Sequence, residues 1–177
     1  PAHIPFDVEA VVDADEILEL KRLPRSLAVI GASVIGIEYA TIFSALDVKV
    51  TVIEPGASLL RFVDRELVDE FIHDLRDRGV SLRFNSRAVS VEKVGPESCV
   101  VQLEDQRQIV AEMVLFAAGR SGATASLNLG AAGLAADERG RIAVDKATFR
   151  TAAPHIYAVG DVIGFPSLAS TSMEQGR

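Results

Sequence analysis

The stretch Gly31-Ala32-Ser33-Val34-Ile35-Gly36 has the spacing that bears most directly on chemistry. A glycine at 31 lets the chain leave a strand in a sharp turn, and a glycine at 36 lets the following helix approach the sheet closely. The first N–H groups of such a helix, at Val34, Ile35 and Gly36, have no partner inside it. The helix dipole adds positive potential there, so this corner suits a pyrophosphate. Ala40 continues the helix, and Glu54 stands at the end of the next apolar strand, where a carboxylate can accept hydrogen bonds from ribose hydroxyls. Strand, glycine turn, helix, strand and terminal acid together point to the adenosine half of a dinucleotide. Ser33 departs from the usual glycine and adds a Cβ where the phosphates approach, although its hydroxyl can itself donate. Glu54 favours NAD(H), because a carboxylate repels a 2′-phosphate at contact distance. Arg61 either reaches the same pocket and offsets that repulsion for NADP(H), or is a solvated loop cation.

The elements that must position these residues are legible from periodicity. Residues 27–30 form a continuous apolar run, as in a strand buried on both faces. Residues 34–46 repeat on a helical period, with Ile35, Tyr39, Ile42 and Phe43 assigned to the apolar side. Residues 48–53 are rich in β-branched side chains and read as the next strand. A second amphipathic helix is predicted over 64–78, with Leu67, Phe71 and Leu75 in line, Val68 and Ile72 beside them, and Gly79 as the stop. Residues 80–84 give a third strand. The period then changes to two over 88–94, 99–103 and 108–111, which predicts an antiparallel meander. Residues 113–118 return as a buried strand ending at Gly119, and 141–144 and 156–159 are expected to be later strands. Before all of these, residues 1–12 read as an aperiodic linker. Residues 13–20 read as a short helix with Asp15 as its cap, broken at Leu23-Pro24-Arg25.

Composition narrows the function. The 177 residues are 49% hydrophobic and carry a net charge of −7, with scattered Lys and Arg. Clustered cations of the kind nucleic-acid binding needs are absent. No apolar run approaches the roughly 20 residues of a membrane span. The single cysteine, Cys99, lies among Val100, Val101 and Leu103 and excludes an internal disulfide. It reads as a structural strand residue in a reducing, cytoplasmic protein. His3, His73 and His155 likewise read as structural, and no metal site is expected. Pro1 at the start and a turn with an opening helix over 167–177 lead us to expect a piece of a longer protein.

With the meander placed, the chain resembles the flavoprotein pyridine nucleotide–disulfide oxidoreductases over nearly its whole length. Residues 31–38 (GASVIGIE) are similar to the family's second nucleotide fingerprint. Ala117-Ala118-Gly119-Arg120 is similar to the loop that closes over the dinucleotide. Residues 151–161 (TAAPHIYAVGD) are similar to its late FAD-binding motif. The resemblance implies an α/β fold, Rossmann-like, with a parallel sheet carrying helices on one side and an antiparallel β-meander on the other. It also implies a linker and lead-in from a flavin domain over 1–24, an NAD(P)-binding domain over 25–145 and a return to the FAD-binding domain over 146–177. By the same resemblance, Ala118, Gly119 and Arg120 contact the nucleotide and Gly160 and Asp161 hold the flavin, Asp161 through its ribityl chain. Glu38 would lie near the nicotinamide, or else act only as a first-turn helix acid. Val34 stands where some disulfide reductases carry a gating tyrosine.

Residues 118–124 and 160–170, the latter with Phe165-Pro166-Ser167-Leu168-Ala169-Ser170, resemble the soluble, FAD-containing transhydrogenase branch, which places Leu168 and Ala169 at the flavin site as well. That branch implies FAD, NAD(H) and NADP(H) as cofactors, hydride transfer from NADPH through flavin to NAD⁺, and a homo-oligomer. The isolated segment would be catalytically silent. The alternatives are a dihydrolipoamide dehydrogenase or related disulfide reductase, which needs a Cys pair elsewhere, and a non-catalytic NAD(H)-binding module.

Overall fold

The computed structural model describes residues 4–7 and 9–177. The chain divides into two compact units, one ending at Gly119 and one formed by Arg120–Arg177.

In the first unit the central apolar runs become parallel strands. The five-stranded sheet has the order β1 (Val11–Val12), β8 (Met113–Phe116), β2 (Ser26–Ile30), β3 (Lys49–Ile53) and β4 (Ser81–Arg83). Every pair in it is parallel. Helix α1 (Val34–Ala45) joins β2 to β3, and α2 (Arg65–Asp77) joins β3 to β4. The strands β5 (Ala88–Gly95), β6 (Ser98–Leu103) and β7 (Gln108–Ala111) form a separate antiparallel meander. The α/β reading with a meander therefore holds.

Strand parity builds two cores. Leu27 and Val29 of β2, Val50 and Val52 of β3, and Met113 and Leu115 of β8 pack with Ile37, Ala40 and Phe43 of α1 and with Val68, Ile72 and Leu75 of α2. The alternate residues Ala28, Ile30, Ile53 and Val114 pack with Val91, Cys99, Val101, Leu103 and Ala111 of the meander. Successive side chains of a strand point to opposite faces, so one run of apolar residues serves both layers. Cys99 is fully buried there, and its thiol lies 3.8 Å from the Ala10 carbonyl. Burial pushes that thiol above its ordinary range, as expected of an inert structural cysteine.

Both helices end in the same hydrogen-bond pattern. In α2, Gly79 takes φ +82°, its N–H bonds the Arg76 carbonyl, and the Val80 N–H reaches back to Leu75. In α1, Asp47 takes the glycine's place at φ +61°, with Val48 N–H bonded to Phe43 O. These are Schellman closures. At the far end of the sheet from the glycine turn, the buried Glu112 carboxylate accepts the Arg25 N–H at 2.9 Å, the Arg25 guanidinium, and Arg22 at 3.4 Å. Glu97, in the β5–β6 turn, lies 3.3 Å from Arg22 and 3.5 Å from Arg25, which ties the meander to the root of the sheet.

Several expectations need correction. The stretch expected as a featureless linker contains β1, whose Val11 and Val12 are fully buried beside β8. The following short helix is a single 3₁₀ turn, Glu16–Glu19. Asp15 stands at its N-cap position as expected but makes no side-chain capping bond; Asp13 supplies it. The Asp13 carboxylate takes the N–H groups of Asp15 and Glu16, while Glu16 takes that of Asp13, a capping box. The predicted apolar faces hold at Phe43 of α1 and at Val68, Ile72 and Leu75 of α2, but are turned away from the expected centre: Ile42 is 52% and Leu67 66% exposed. In α1, Gly36, Ile37 and Ala40 occupy the buried positions as well. His73 sits exposed on α2, 3.5 Å from Asp77; His3 lies outside the described residues.

The second unit has little regular structure. The expected strands at 141–144 and 156–159 are reduced to single bridges, Ala136 with Ile142 and Arg150 with Tyr157. Its regular pieces are 3₁₀ turns at Leu129–Ala132 and Gly160–Ile163, and the helix α3 (Ala169–Gln175). Gly122 and Gly140 cross so closely that a Cβ on Gly122 would lie 2.1 Å from the Gly140 carbonyl oxygen. Thr124 donates to that same oxygen at 2.9 Å.

Candidate functional site

The sheet register brings the first glycine turn and Glu54 together. Ile30 pairs with Ile53, so Gly31 and Glu54 leave adjacent strands at the same level. The Gly31 N–H bonds the Ile53 carbonyl at 2.9 Å, and on the other side of β2 the Ala117 N–H bonds the Ile30 carbonyl at 2.8 Å. The corner thus lies at the carboxyl end of the middle strand, between neighbours reached by different connections, which is where open α/β sheets place ligands.

The glycines are required by contact as well as by torsion. Gly31 has φ +106°, and a Cβ there would stand 2.6 Å from the Ala117 carbonyl oxygen and 2.9 Å from Ala118 Cα. A Cβ on Gly36 would stand 2.1 Å from the Gly31 carbonyl oxygen. Removing that one atom lets α1 start against the turn. Ser33, by contrast, caps α1 with φ −83° and ψ −174°, a conformation open to any residue, and its side chain makes no capping bond. This explains why a serine replaces the middle glycine without disturbing the backbone. The first intrahelical bond runs from Ile37 N–H to Ser33 O, so Val34, Ile35 and Gly36 carry the N–H groups that the helix leaves unpaired.

Glu54 is more engaged than an acid waiting for a sugar. Its Oε2 accepts the Ala32 N–H at 2.9 Å, and its Oε1 accepts the Gly56 N–H at 2.7 Å. Its own N–H bonds the Arg83 carbonyl, and its carbonyl accepts the Ser86 N–H at 3.0 Å. The loop after β3 is further held by Leu60 N–H to Ala32 O at 3.2 Å and by the fully buried Leu59. Arg61 is exposed and lies over Gly56: a Cβ built on Gly56 would be 3.5 Å from Arg61 Cδ and 2.8 Å from Glu54 Oε1. Arg61 and Glu54 therefore flank one backbone position without forming an ion pair. Gly56 and Leu60 escaped the sequence reading; the only signal was a glycine two residues beyond the strand-end acid.

Glu38 is exposed in the second turn of α1, and that helix has no acid in its first turn. Next to it, burial and then the charges of Asp15 and Glu38 push the Tyr39 phenol above its ordinary range. The Tyr39 hydroxyl donates to Ala14 O at 3.1 Å. Ala118 and Gly119 are exposed just beyond β8, with Gly119 at φ +133°. Arg120, also exposed, is the first residue of the second unit.

Within the second unit, Gly160, Asp161, Leu168 and Ala169 form one cluster. Gly160 has φ +78°, and its N–H bonds Gln175 Oε1 at 2.7 Å. Ser172 donates to Asp161 Oδ1 at 3.1 Å. Leu168 caps α3 and Ala169 opens it. Sequence reasoning missed Ser172 and Gln175, whose spacing from Asp161 has meaning only once α3 folds back. Among the described residues, no group of three or more His, Cys, Asp or Glu could hold a metal ion. No helix among them is long and apolar enough to cross a membrane.

Comparison with known proteins matches residues 4–176 to the family model described as pyridine nucleotide-disulphide oxidoreductase. The chain is 52% identical over its full length to a soluble pyridine nucleotide transhydrogenase of Mycobacterium bovis, of which it covers 37%. It is 45% identical to the protein of that name from Marinobacter nauticus, of which it covers 38%. Among solved structures, it matches the HOCl-induced flavoprotein disulfide reductase RclA from Escherichia coli with a TM-score of 0.84 at 34% identity, over 97% of this chain and 39% of that one. It also matches LpdA from Mycobacterium tuberculosis with a TM-score of 0.91 at 30% identity, over 100% of this chain and 38% of that one. The chain therefore spans well under half the length of these relatives.

Proposed function

The chain belongs to the pyridine nucleotide-disulphide oxidoreductase family, and from that premise we propose that its Gly31–Glu54 corner binds the adenosine and pyrophosphate of NAD(H) and NADP(H). The observation that carries this reading is the Glu54 carboxylate on the Ala32 N–H, which sets a sugar-binding acid beside the open first turn of α1. The residues fit the ligand. The missing Cβ atoms at Gly31 and Gly36 clear the approach, the N–H groups of Val34, Ile35 and Gly36 face the phosphates together with Ser33, and Glu54 takes the ribose. Arg61 offsets the charge conflict when a 2′-phosphate is present. Ala118, Gly119 and Arg120 close over the nucleotide, and Glu38 lies toward the nicotinamide.

In the whole protein, residues 25–145 serve as the nucleotide-binding domain and residues 146–177 return to a flavin-binding domain. There Gly160, Asp161, Leu168 and Ala169 hold FAD. The flavin and nicotinamide supply the hydride chemistry when bound; the protein binds, orients and excludes competitors. The activity we assign is transfer of hydride from NADPH by way of FAD to NAD⁺, in a cytoplasmic homo-oligomer. Relatives named as soluble transhydrogenases at 52% and 45% identity support it. A disulfide reductase is the second reading, favoured by the match to RclA at 34% identity.

The test is NADPH-driven reduction of an NAD⁺ analogue by the FAD-loaded full-length protein. Robust transfer without any disulfide substrate supports the assignment; turnover only when a disulfide is supplied replaces it with the second reading. In the same protein, Arg61→Ala should weaken NADP⁺ by about tenfold, as expected for loss of one charge-assisted hydrogen bond, and leave NAD⁺ within about twofold. Equal losses would make Arg61 a solvated loop cation.

A further inference from the structure

We infer that Glu54 is also a positioning residue, which braces the phosphate turn so that nucleotides are bound there whether or not they present a 2′-hydroxyl. The inference rests on the nucleotide reading above and concerns how that corner is kept in shape. Three segments meet at this residue and its neighbours. The phosphate turn contributes the Ala32 N–H to Oε2, and the loop after β3 contributes the Gly56 N–H to Oε1. The segment after β4 contributes the Ser86 N–H to the Glu54 carbonyl, while Asn85 N–H bonds Gly56 O at 2.9 Å. One carboxylate thus joins two backbone donors 24 residues apart in the chain, and the Leu60–Ala32 bond runs parallel to it.

A carboxylate is the side chain this arrangement needs, because it accepts on both oxygens. An amide accepts on one oxygen only and turns a donor toward a donor at the other, leaving one N–H without a partner. Each oxygen still has a lone pair for a ribose hydroxyl, so bracing and sugar binding use the same group without competing. Glu54 therefore acts on the phosphates through Ala32, at the start of the turn whose N–H groups receive them, and on Arg61 through Gly56, over which that guanidinium lies. The two roles separate by ligand. Loss of the 2′-hydroxyl contact falls on NAD⁺ alone, whereas loss of the brace falls on both nucleotides, offset in part for NADP⁺ by relief of the repulsion between carboxylate and 2′-phosphate.

The experiment titrates NAD⁺ and NADP⁺ calorimetrically into the full-length protein and its Glu54→Gln variant, alongside thermal unfolding without nucleotide. We expect both affinities to fall, NAD⁺ by more than about tenfold and NADP⁺ by only a few-fold because the repulsion of its 2′-phosphate is relieved, with a lower melting temperature. Gly56→Ala keeps the carboxylate but presses a methyl to 2.8 Å from Oε1. It should weaken both nucleotides at a temperature where the unliganded variant is fully folded, which a loss of global stability alone would not do. If Glu54→Gln weakens NAD⁺ alone and leaves the melting temperature of the unliganded protein unchanged, the brace is wrong and the ribose role stands. If the unaltered protein binds neither nucleotide, the nucleotide reading itself falls.

Discussion

The turns at Gly31 and Gly160 each pair a left-handed glycine with an acid, and they are built in opposite ways. The turn at Gly31 stands on a five-stranded sheet, between β3 and β8, with backbone carbonyls 2.1–2.6 Å from where the missing Cβ atoms of Gly31 and Gly36 would be. The turn at Gly160 stands on loops and a seven-residue helix. A Cβ there would meet only the Ser172 side chain, at 3.2 Å from its Oγ. The acids differ in the same sense: Glu54 is gripped by two backbone amides, Asp161 by one partly exposed serine hydroxyl. A shared local signature thus says little about rigidity. What lies beneath the turn decides how much a single atom matters, because backbone in a packed layer cannot move aside and a surface side chain can.

That contrast makes the largest prediction. Gly36→Ala should destabilise the protein by about 3 kcal/mol, at the top of the usual range for overpacking, and reduce NAD⁺ binding at least about a hundredfold. Gly160→Ala should cost mainly the left-handed torsion, about 1–2 kcal/mol, since its methyl would meet Ser172 at 3.2–3.3 Å and α3 need give by only a few tenths of an ångström. Thermal unfolding of the two variants checks the pair, and equal losses would break the comparison. A subtler effect concerns the root of the sheet that supports the first turn. Hydrogen bonds from the Arg25 N–H and then its guanidinium hold the Glu112 carboxyl below its ordinary value of 4.5. The unfolded chain therefore takes up this proton more readily than the folded one. The stabilisation is complete above pH 4.5 and drains away as the pH falls through the lowered value. Glu112→Gln should flatten the acid loss of stability, with the change in hydrogen exchange confined to residues before Gly119; a change spread over Arg120–Arg177 would count against it. The smallest effect belongs to Ser33→Gly. Because Ser33 already has an ordinary φ and makes no capping bond, stability should shift by a few tenths of a kcal/mol and NAD⁺ affinity by less than about twofold. A large gain in affinity would mean that the serine Cβ obstructs the phosphates.

What could be read from the sequence follows from where each signal is stored. The β2–α1–β3 unit was legible because its period, its two glycines and its terminal acid all lie within two dozen residues. The meander was legible because the period visibly changes from helical to alternating. Strand β1 was not, since two valines carry no period and become a strand only by pairing with β8 a hundred residues later. The rotation of α1 was hidden by its composition. It is apolar nearly all round, and small residues such as Gly36 and Ala40 take the buried face because the sheet comes close, leaving the larger Ile42 outside. The expected strands at 141–144 and 156–159 have strand-like residues but find single bridges only, which shows propensity without a partner. The strand-end acid, Glu54, could be located from spacing; its two amide partners could not, because they depend on how the loop after β3 folds back.

The parity of β2 has a consequence for how this protein can change. Leu27 and Val29 serve one layer while Ala28 and Ile30 serve the other. Deleting one residue would exchange the two sets and bury each against the wrong surroundings. Deleting two would restore the faces but withdraw Gly31 from Glu54 by about 7 Å, two steps of strand rise. The strand is thus a ruler with no slack at either graduation. Variation in chain length is left to the links outside it, and the distance from the root of the sheet to the Gly31–Glu54 corner is fixed.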